Sequence, residues 1–371
     1  MGPGMERYVL KVEKLIPGGM GLCRHEGRVV MVPDVVDGEV VEVEVVARHS
    51  DYDEGVLVGV REGAAARVAP RCGYYGVCGG CVLQHVAYEH QVAVKRGWLE
   101  EHLRREGVRE VPGCEVYEGP AYGYRSRFQV HIEGGRAGFL RRDLTHLAVE
   151  GCEVAHPACA PIFTRRYNGR ARKLGFLGWE GRLWGGEEPE EFRVEVGGYV
   201  FFGRTDLFFQ SNLFVLERLL EWVEGVVSAG DGGEAWDLYA GVGVFSQVLA
   251  RRGWRPRLVE SAVAALGYAE RGLGGGAAYV GVSAERFLRG YRGGVPGVVV
   301  ADPPRSGFSR TVRGFFEAQR VPLLVYISCN AATFARDVAH LMRAGYRLAR
   351  LAFFDFYPQT PHMEVAGVLH T

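Results

Sequence analysis

Ala235-Trp236-Asp237-Leu238-Tyr239-Ala240-Gly241-Val242-Gly243 runs from an apolar segment into a glycine turn, and its reading decides the fold. An apolar strand that ends in such a turn lets the backbone approach a ligand closely, because glycine accepts conformations closed to other residues. The G-x-G spacing lacks a properly placed third glycine and is a poor dinucleotide fingerprint, so a plain tight turn is the alternative. Glu260 closes the next strand about 20 residues on, where a carboxylate can accept two ribose hydroxyls. Outward from there the pattern alternates. Strands are expected at 235–239, 257–260, 278–280, 298–301, 323–328, 347–354 and 364–369. Helices are expected at 245–251, 262–271, 285–291 and 333–343. This is the pattern of a doubly wound α/β sheet, whose ligands lie at the carboxyl ends of the strands.

Two of those strand ends carry chemistry. Ala301-Asp302-Pro303-Pro304-Arg305 ends one, and Tyr326-Ile327-Ser328-Cys329-Asn330 ends the next. Most buried cysteines are inert. A thiol in a Ser-Cys-Asn turn beside a small-molecule site suggests covalent catalysis instead. Asp302 can reach a cofactor or substrate, or simply cap its turn. Glu364 opens the last strand; from spacing alone it faces either solvent or the active site. His362 is equally ambiguous.

The amino-terminal part reads differently. Val40 to Val46 alternates valine with glutamate, and Gly18-Gly19 and Asp37-Gly38 supply turns, as in a small barrel. Cys72-x5-Cys78-x2-Cys81 lies among glycines, with Cys152 alone downstream. Soft thiolates so placed suit an iron–sulfur cluster or zinc, and the long first gap favours iron–sulfur. Tyr122, Tyr124, Arg125 and Arg127 interleave aromatic and guanidinium groups, as single-stranded nucleic acid binders do and as exposed sheet faces also do. Formal net charge is zero, so attraction of the whole molecule to nucleic acid is not indicated. No apolar run is long enough to span a bilayer, and no basic stretch precedes an apolar core at the start; the cytoplasm and no membrane partner are expected.

In this order the pieces resemble the S-adenosylmethionine-dependent RNA uracil-5 methyltransferase family, over essentially the whole chain. The motifs that carry the resemblance are Phe208-Phe209-Gln210-Ser211-Asn212, Asp302-Pro303-Pro304-Arg305, Ser328-Cys329-Asn330 and Pro358-Gln359-Thr360-Pro361-His362-Met363-Glu364. Gly18-Gly19-Met20-Gly21 and the stretch from Val32 to Glu39 are similar to the TRAM RNA-binding domain. Ala240, Tyr357 and Pro361 depart from the family pattern.

The resemblance implies a multidomain chain. An OB-like TRAM β-barrel would occupy 1–62, a β-rich central domain with an iron–sulfur site 67–205, and a Rossmann-like methyltransferase domain 206–371. A helix over about 84–106 would pack on the catalytic part. Cys329 would be the nucleophile and Glu364 the base. Gln210, Tyr239, Gly241, Glu260 and Asp302 would bind S-adenosylmethionine. Cys72, Cys78, Cys81 and Cys152 would hold a [4Fe-4S] cluster, and Tyr124, Arg125, Arg127 and Arg305 would contact RNA. The implied reaction is methylation of carbon 5 of a uridine, in 23S rRNA by closest likeness, with a tRNA T-loop uridine as the alternative and a monomer as the acting form. An amino-methyltransferase and a non-catalytic RNA-binding module are the rival classes.

Overall fold

The computed structural model describes residues 6–168 and 172–371. Residues 1–5 of the expected first unit and 169–171 of the second lie outside the described part.

Eight strands form the largest sheet, in the order Ala278–Val280, Arg255–Val259, Glu234–Leu238, Val298–Ala301, Leu323–Ser328, Glu364–His370, Arg347–Phe354 and Cys114–Tyr117. The first five are mutually parallel. Glu364–His370 then runs antiparallel between two neighbours. Every residue of Val298–Ala301 and Leu323–Ser328 is buried, which explains their unbroken apolar sequence: both faces are covered, as in parallel α/β sheets. Expected and observed strands here agree within about two residues at each end. The edge strand Cys114–Tyr117 and the helices Leu213–Val226 and Arg310–Gln319 were not foreseen.

Residues 7–62 correct the barrel expectation. They form a six-stranded sheet in which Arg7–Lys11 and Lys14–Leu15 are the edges, and no ladder joins them among the described residues. Alternation holds within it: Val41, Val43 and Val45 are buried while Glu42 and Glu44 are not. A five-stranded sheet follows, ordered His146–Ala148, Arg136–Leu140, Arg127–Glu133, Arg172–Trp179 and Arg182–Trp184. The hairpin Glu191–Val196 with Tyr199–Arg204 shares an apolar core with the helix Leu213–Val226. The fold is therefore a mixed α/β, methyltransferase-like one with additional sheets, and no separate iron–sulfur domain stands out. Among the described residues, no helix is long and apolar enough to cross a membrane.

The helix Tyr88–Arg105 belongs to the catalytic core: Trp98, Leu99 and Leu103 pack in the same cluster as Phe334 and Val338. Lys95 on this helix is fully buried and donates to Asp355 Oδ1 at 2.8 Å and to the Tyr357 carbonyl at 3.1 Å. Removing one partner of a buried ion pair leaves the other charge unpaired. Lys95→Met is expected to cost about 3–5 kcal/mol in urea unfolding, and Lys95→Met with Asp355→Leu to recover most of that loss. Equal losses in the two variants would count against the pair as the source.

Candidate active site

Strand Leu323–Ser328 delivers Cys329. Asn330 then starts the helix Ala331–Arg343 as its N-cap, accepting from the Ala332 and Thr333 amides. The thiol thus sits at a strand-to-helix corner, partly exposed. Asn330 Nδ2 and Thr333 Oγ1 both donate to the Arg305 carbonyl, at 3.3 and 3.2 Å, tying the Asp-Pro-Pro-Arg segment to this corner. Buried Asp337 fixes the segment from behind, accepting from the Phe308 amide at 2.7 Å, Arg313 at 3.0 Å and Tyr326 OH at 2.9 Å. Gly307 has φ +69°, and a Cβ there would meet Asp337 Oδ2 at 2.4 Å, so only glycine fits.

The register does the rest. Ser328 opposes Val365 in the antiparallel ladder, so the next pair along brings Cys329 beside Glu364. Ala301 pairs with Tyr326, which leaves Asp302 at the same sheet edge. The structure therefore assembles Asp302, Cys329 and Glu364 from three strands separated widely in sequence. Glu364 is only 7% exposed, and burial together with the Asp302 carboxylate raises its pKa well above the ordinary range. Asp302 is pushed up to about 7 by burial. Cys329 is pushed up to about 12, mainly by burial and then by Glu364 and Asp302, while Arg305 pulls it down.

A cleft beside this edge is lined by Phe208, Phe209, Gln210, Tyr239, Gly241 and Asp302, among others. Its turn holds Tyr239 at φ 65°, Gly241 at 54° and Gly243 at 80°. A left-handed non-glycine residue such as Tyr239 costs on the order of 1–3 kcal/mol and marks a constrained site. A Cβ at Gly241 would meet nothing, so the cradle is open there. Gln210 Oε1 is buried without a partner, an acceptor left for a ligand donor. Glu260 accepts from the Gly241 amide at 3.0 Å and from the Ala262 amide at 2.6 Å, and so holds the turn itself. These features fit an adenosine-bearing cofactor.

The expected RNA contacts divide. Tyr124 is fully buried and donates to the Pro358 carbonyl at 2.9 Å, so it braces the loop before Glu364 and does not face a ligand. Arg127 donates to the Leu207 carbonyl at 2.8 Å, and Arg125 to the Arg127 carbonyl at 3.2 Å. Arg305 is exposed. Sequence reasoning missed Lys95, Gln91 and Gln359. Gln91 and Gln359 form a reciprocal buried pair, with Gln91 Nε2 to Gln359 Oε1 and the Gln359 amide to Gln91 Oε1, each 3.0 Å. Lys95 is one of only four lysines in the chain, which is the one faint signal the sequence offered.

A family model described as tRNA (Uracil-5-)-methyltransferase matches residues 294–371. An uncharacterised RNA methyltransferase of Aquifex aeolicus is 31% identical, over 97% of this chain and 97% of the relative. The 23S rRNA (uracil(1939)-C(5))-methyltransferase of Halomonas elongata is 31% identical over 96% of this chain and 88% of its own. The chain belongs to the RNA uracil-5 methyltransferase family. It is an RNA (uracil-5-)-methyltransferase that uses S-adenosylmethionine to methylate carbon 5 of uracil. Its fold is shared with the Pyrococcus abyssi tRNA (uracil-54, C5)-methyltransferase solved with S-adenosyl-L-homocysteine, at 23% identity and a TM-score of 0.76 over 97% of this chain and 99% of that one.

Two expectations fall for this methyltransferase. The family model lies wholly within the catalytic part and does not reach residues 7–62, so the TRAM assignment has no support. Cys72, Cys78, Cys81 and Cys152 do line one cavity of about 320 Å³. Yet among the described residues no group of three or more His, Cys, Asp or Glu is arranged to hold a metal ion, which overturns the [4Fe-4S] cluster and the metal-ligand roles. The cysteines are free. Spacing reported that the four thiols come near one another, but not whether they close to the distances a metal ion needs.

Below its pKa a thiol's reactive fraction rises with pH. Alkylation of Cys329 by iodoacetamide, followed by peptide mass spectrometry, is therefore expected to accelerate about tenfold per pH unit from pH 7 to 10. Arg305→Ala, which removes a cation that lowers the thiol's pKa, should slow it at every pH. A plateau by pH 8 would contradict the raised thiol.

Proposed function

We propose that this enzyme methylates a T-loop uridine of transfer RNA through a covalent bond between Cys329 and carbon 6 of the base. The observation that carries the reaction is the register that sets Cys329 beside Glu364. The tRNA target is supported by the description of the matching family model, with the full-length fold match pointing the same way. The Halomonas relative favours 23S rRNA as the second reading.

Carbon 5 of uracil is a weak nucleophile. Cys329, after losing its proton to solvent, adds as the thiolate at carbon 6, which forms an S–C6 bond and moves electron density to carbon 5. Gln210, Tyr239, Gly241, Glu260 and Asp302 hold the cofactor in this reading. S-adenosylmethionine, when bound, supplies an electrophilic methyl group. Once carbon 5 has bonded that methyl group, Glu364 takes the proton from carbon 5, the S–C6 electron pair returns to sulfur, and the Cys329 thiolate regains a proton from solvent. Burial and the Asp302 carboxylate raise the proton affinity of Glu364, which favours that transfer. Burial of the reacting edge means the target base leaves its stack to enter. Arg125, Arg127 and Arg305 serve as RNA contacts, with guanidinium groups suited to phosphate. The two smaller sheet units grip the RNA around the catalytic part. The cytoplasm and a single copy of the chain complete the proposal.

Three measurements test it. With radiolabelled S-adenosylmethionine and total RNA from a strain lacking the gene, label should enter transfer RNA; label confined to ribosomal RNA would replace the target. Cys329→Ala should give no product while retaining cofactor affinity by calorimetry. Glu364→Gln should lower kcat by about 10²–10⁴-fold and accumulate a protein–RNA adduct, since the base contributes only to the later proton removal. Clean turnover by Glu364→Gln would remove that role.

A further inference from the structure

A second cavity, of about 300 Å³, opens against Cys329 and shares no lining residue with the cleft of Gln210, Tyr239 and Asp302. Its walls come from three parts of the fold: Pro17 and Gly18 from a turn of the amino-terminal sheet, Trp98 and His102 from the helix Tyr88–Arg105, and Arg305, Cys329 and His362 from the reacting edge. The assembly is built. Trp98 Nε1 donates to the Leu15 carbonyl at 2.8 Å, and Lys14 pairs with Glu101 at 2.9 Å, so the turn is pinned against the helix. Leu15 and Trp98 lie in the same apolar core as the catalytic strands. A preformed wall lowers the ordering cost of binding.

The chemistry of the walls selects a ligand. Arg305 is exposed and its guanidinium makes no hydrogen bond to protein among the described residues, which leaves it for a phosphate. Burial lowers the pKa of His102 and His362, so both imidazoles are neutral near pH 7 and each offers one donor, one acceptor and a flat face. Gly18 has φ +104° with open space where a Cβ would be, which exposes its backbone to a ligand. An anionic group joined to a flat, hydrogen-bonding ring is a nucleotide. The base to be methylated has to present one face to Cys329 and its carbon 5 toward the cofactor cleft. Its neighbour in a continuous strand then needs its own place next to the thiol, and unstacked, splayed nucleotides are how proteins read single-stranded RNA.

Resting on the proposed reaction, we infer that this cavity receives the nucleotide immediately adjacent to the target uridine, with its phosphate on Arg305 and its base against His102 and the Pro17-Gly18 turn. His102 is then a specificity residue contributed from outside the strands that carry the chemistry. The amino-terminal sheet takes part in reading the sequence next to the target through its turn.

The test is a double-mutant cycle on binding. Fluorescence anisotropy gives Kd for a tRNA T-loop hairpin, intact or with an abasic site on either side of the target uridine, against the full-length wild type, His102→Ala and His102→Gln. One abasic position is expected to weaken wild-type binding about tenfold, the scale of a lost base stack. The same lesion should weaken His102→Ala by less than twofold, and His102→Gln, which keeps a donor and an acceptor, should recover part of the coupling. Equal penalties in wild type and His102→Ala, or no penalty at either position, would overturn the inference. Failure of the reaction reading would show separately, as absence of a carbon-5 methyl on the intact hairpin.

Discussion

The loop from Asp355 to Thr360 is the constraint on which the reacting edge depends. It leads directly into Glu364, and parts distant in sequence grip it. Lys95 holds Asp355 and the Tyr357 carbonyl from the long helix. Asn212 donates to the Phe356 carbonyl at 3.2 Å, and Tyr124 to that of Pro358. Gln359, at φ 68°, accepts from the Val82 and Leu83 amides, pairs with Gln91 and donates to the Ala121 carbonyl. A left-handed glutamine persists only where its surroundings over-determine it. Here they do, and the result is a base whose place beside Cys329 is fixed by the helix, the segment around Val82, the central unit and the strand ladder together.

That rigidity is matched by an unfavourable electrostatic setting. Asp302 and Glu364 crowd one edge, both raised in pKa, and Cys329 stands near them with its proton held by burial. Arg305 is the cation that opposes this at both Cys329 and Glu364. Asp302, at about 7, binds its proton more tightly folded than unfolded, so its contribution to stability is present at low pH and is lost as pH rises through that value, and Glu364 shifts in the same direction. The protein thus gives up stability around neutral pH at the place where its chemistry is done, a common arrangement in active sites.

Much of the catalytic sheet was legible because buried parallel strands announce themselves as apolar runs closed by turn residues. Asp302 and Cys329 could be placed at strand ends for the same reason. The neighbouring of Cys329 and Glu364 was not legible from spacing, since it depends on the antiparallel insertion of the last strand, a long-range register. Tyr124 was misread because an aromatic beside arginines looks alike in sequence whether it faces RNA or a core. The four cysteines misled in a related way: chain spacing told of proximity, and they line one cavity, yet among the described residues they are not arranged to hold a metal ion. Alternating valines from Val40 onward declared strands but not whether their sheet would close.

The central claim is the bond between one sulfur and a pyrimidine carbon. The direct measurement is mass spectrometry of the enzyme incubated with S-adenosylmethionine and target RNA in which the reacting uridine is 5-fluorouridine, a base with no proton on carbon 5 for Glu364 to remove. The account predicts a stable protein–RNA adduct whose nucleotide maps to the peptide bearing Cys329. An adduct on another residue, or methylated product with none, would contradict it.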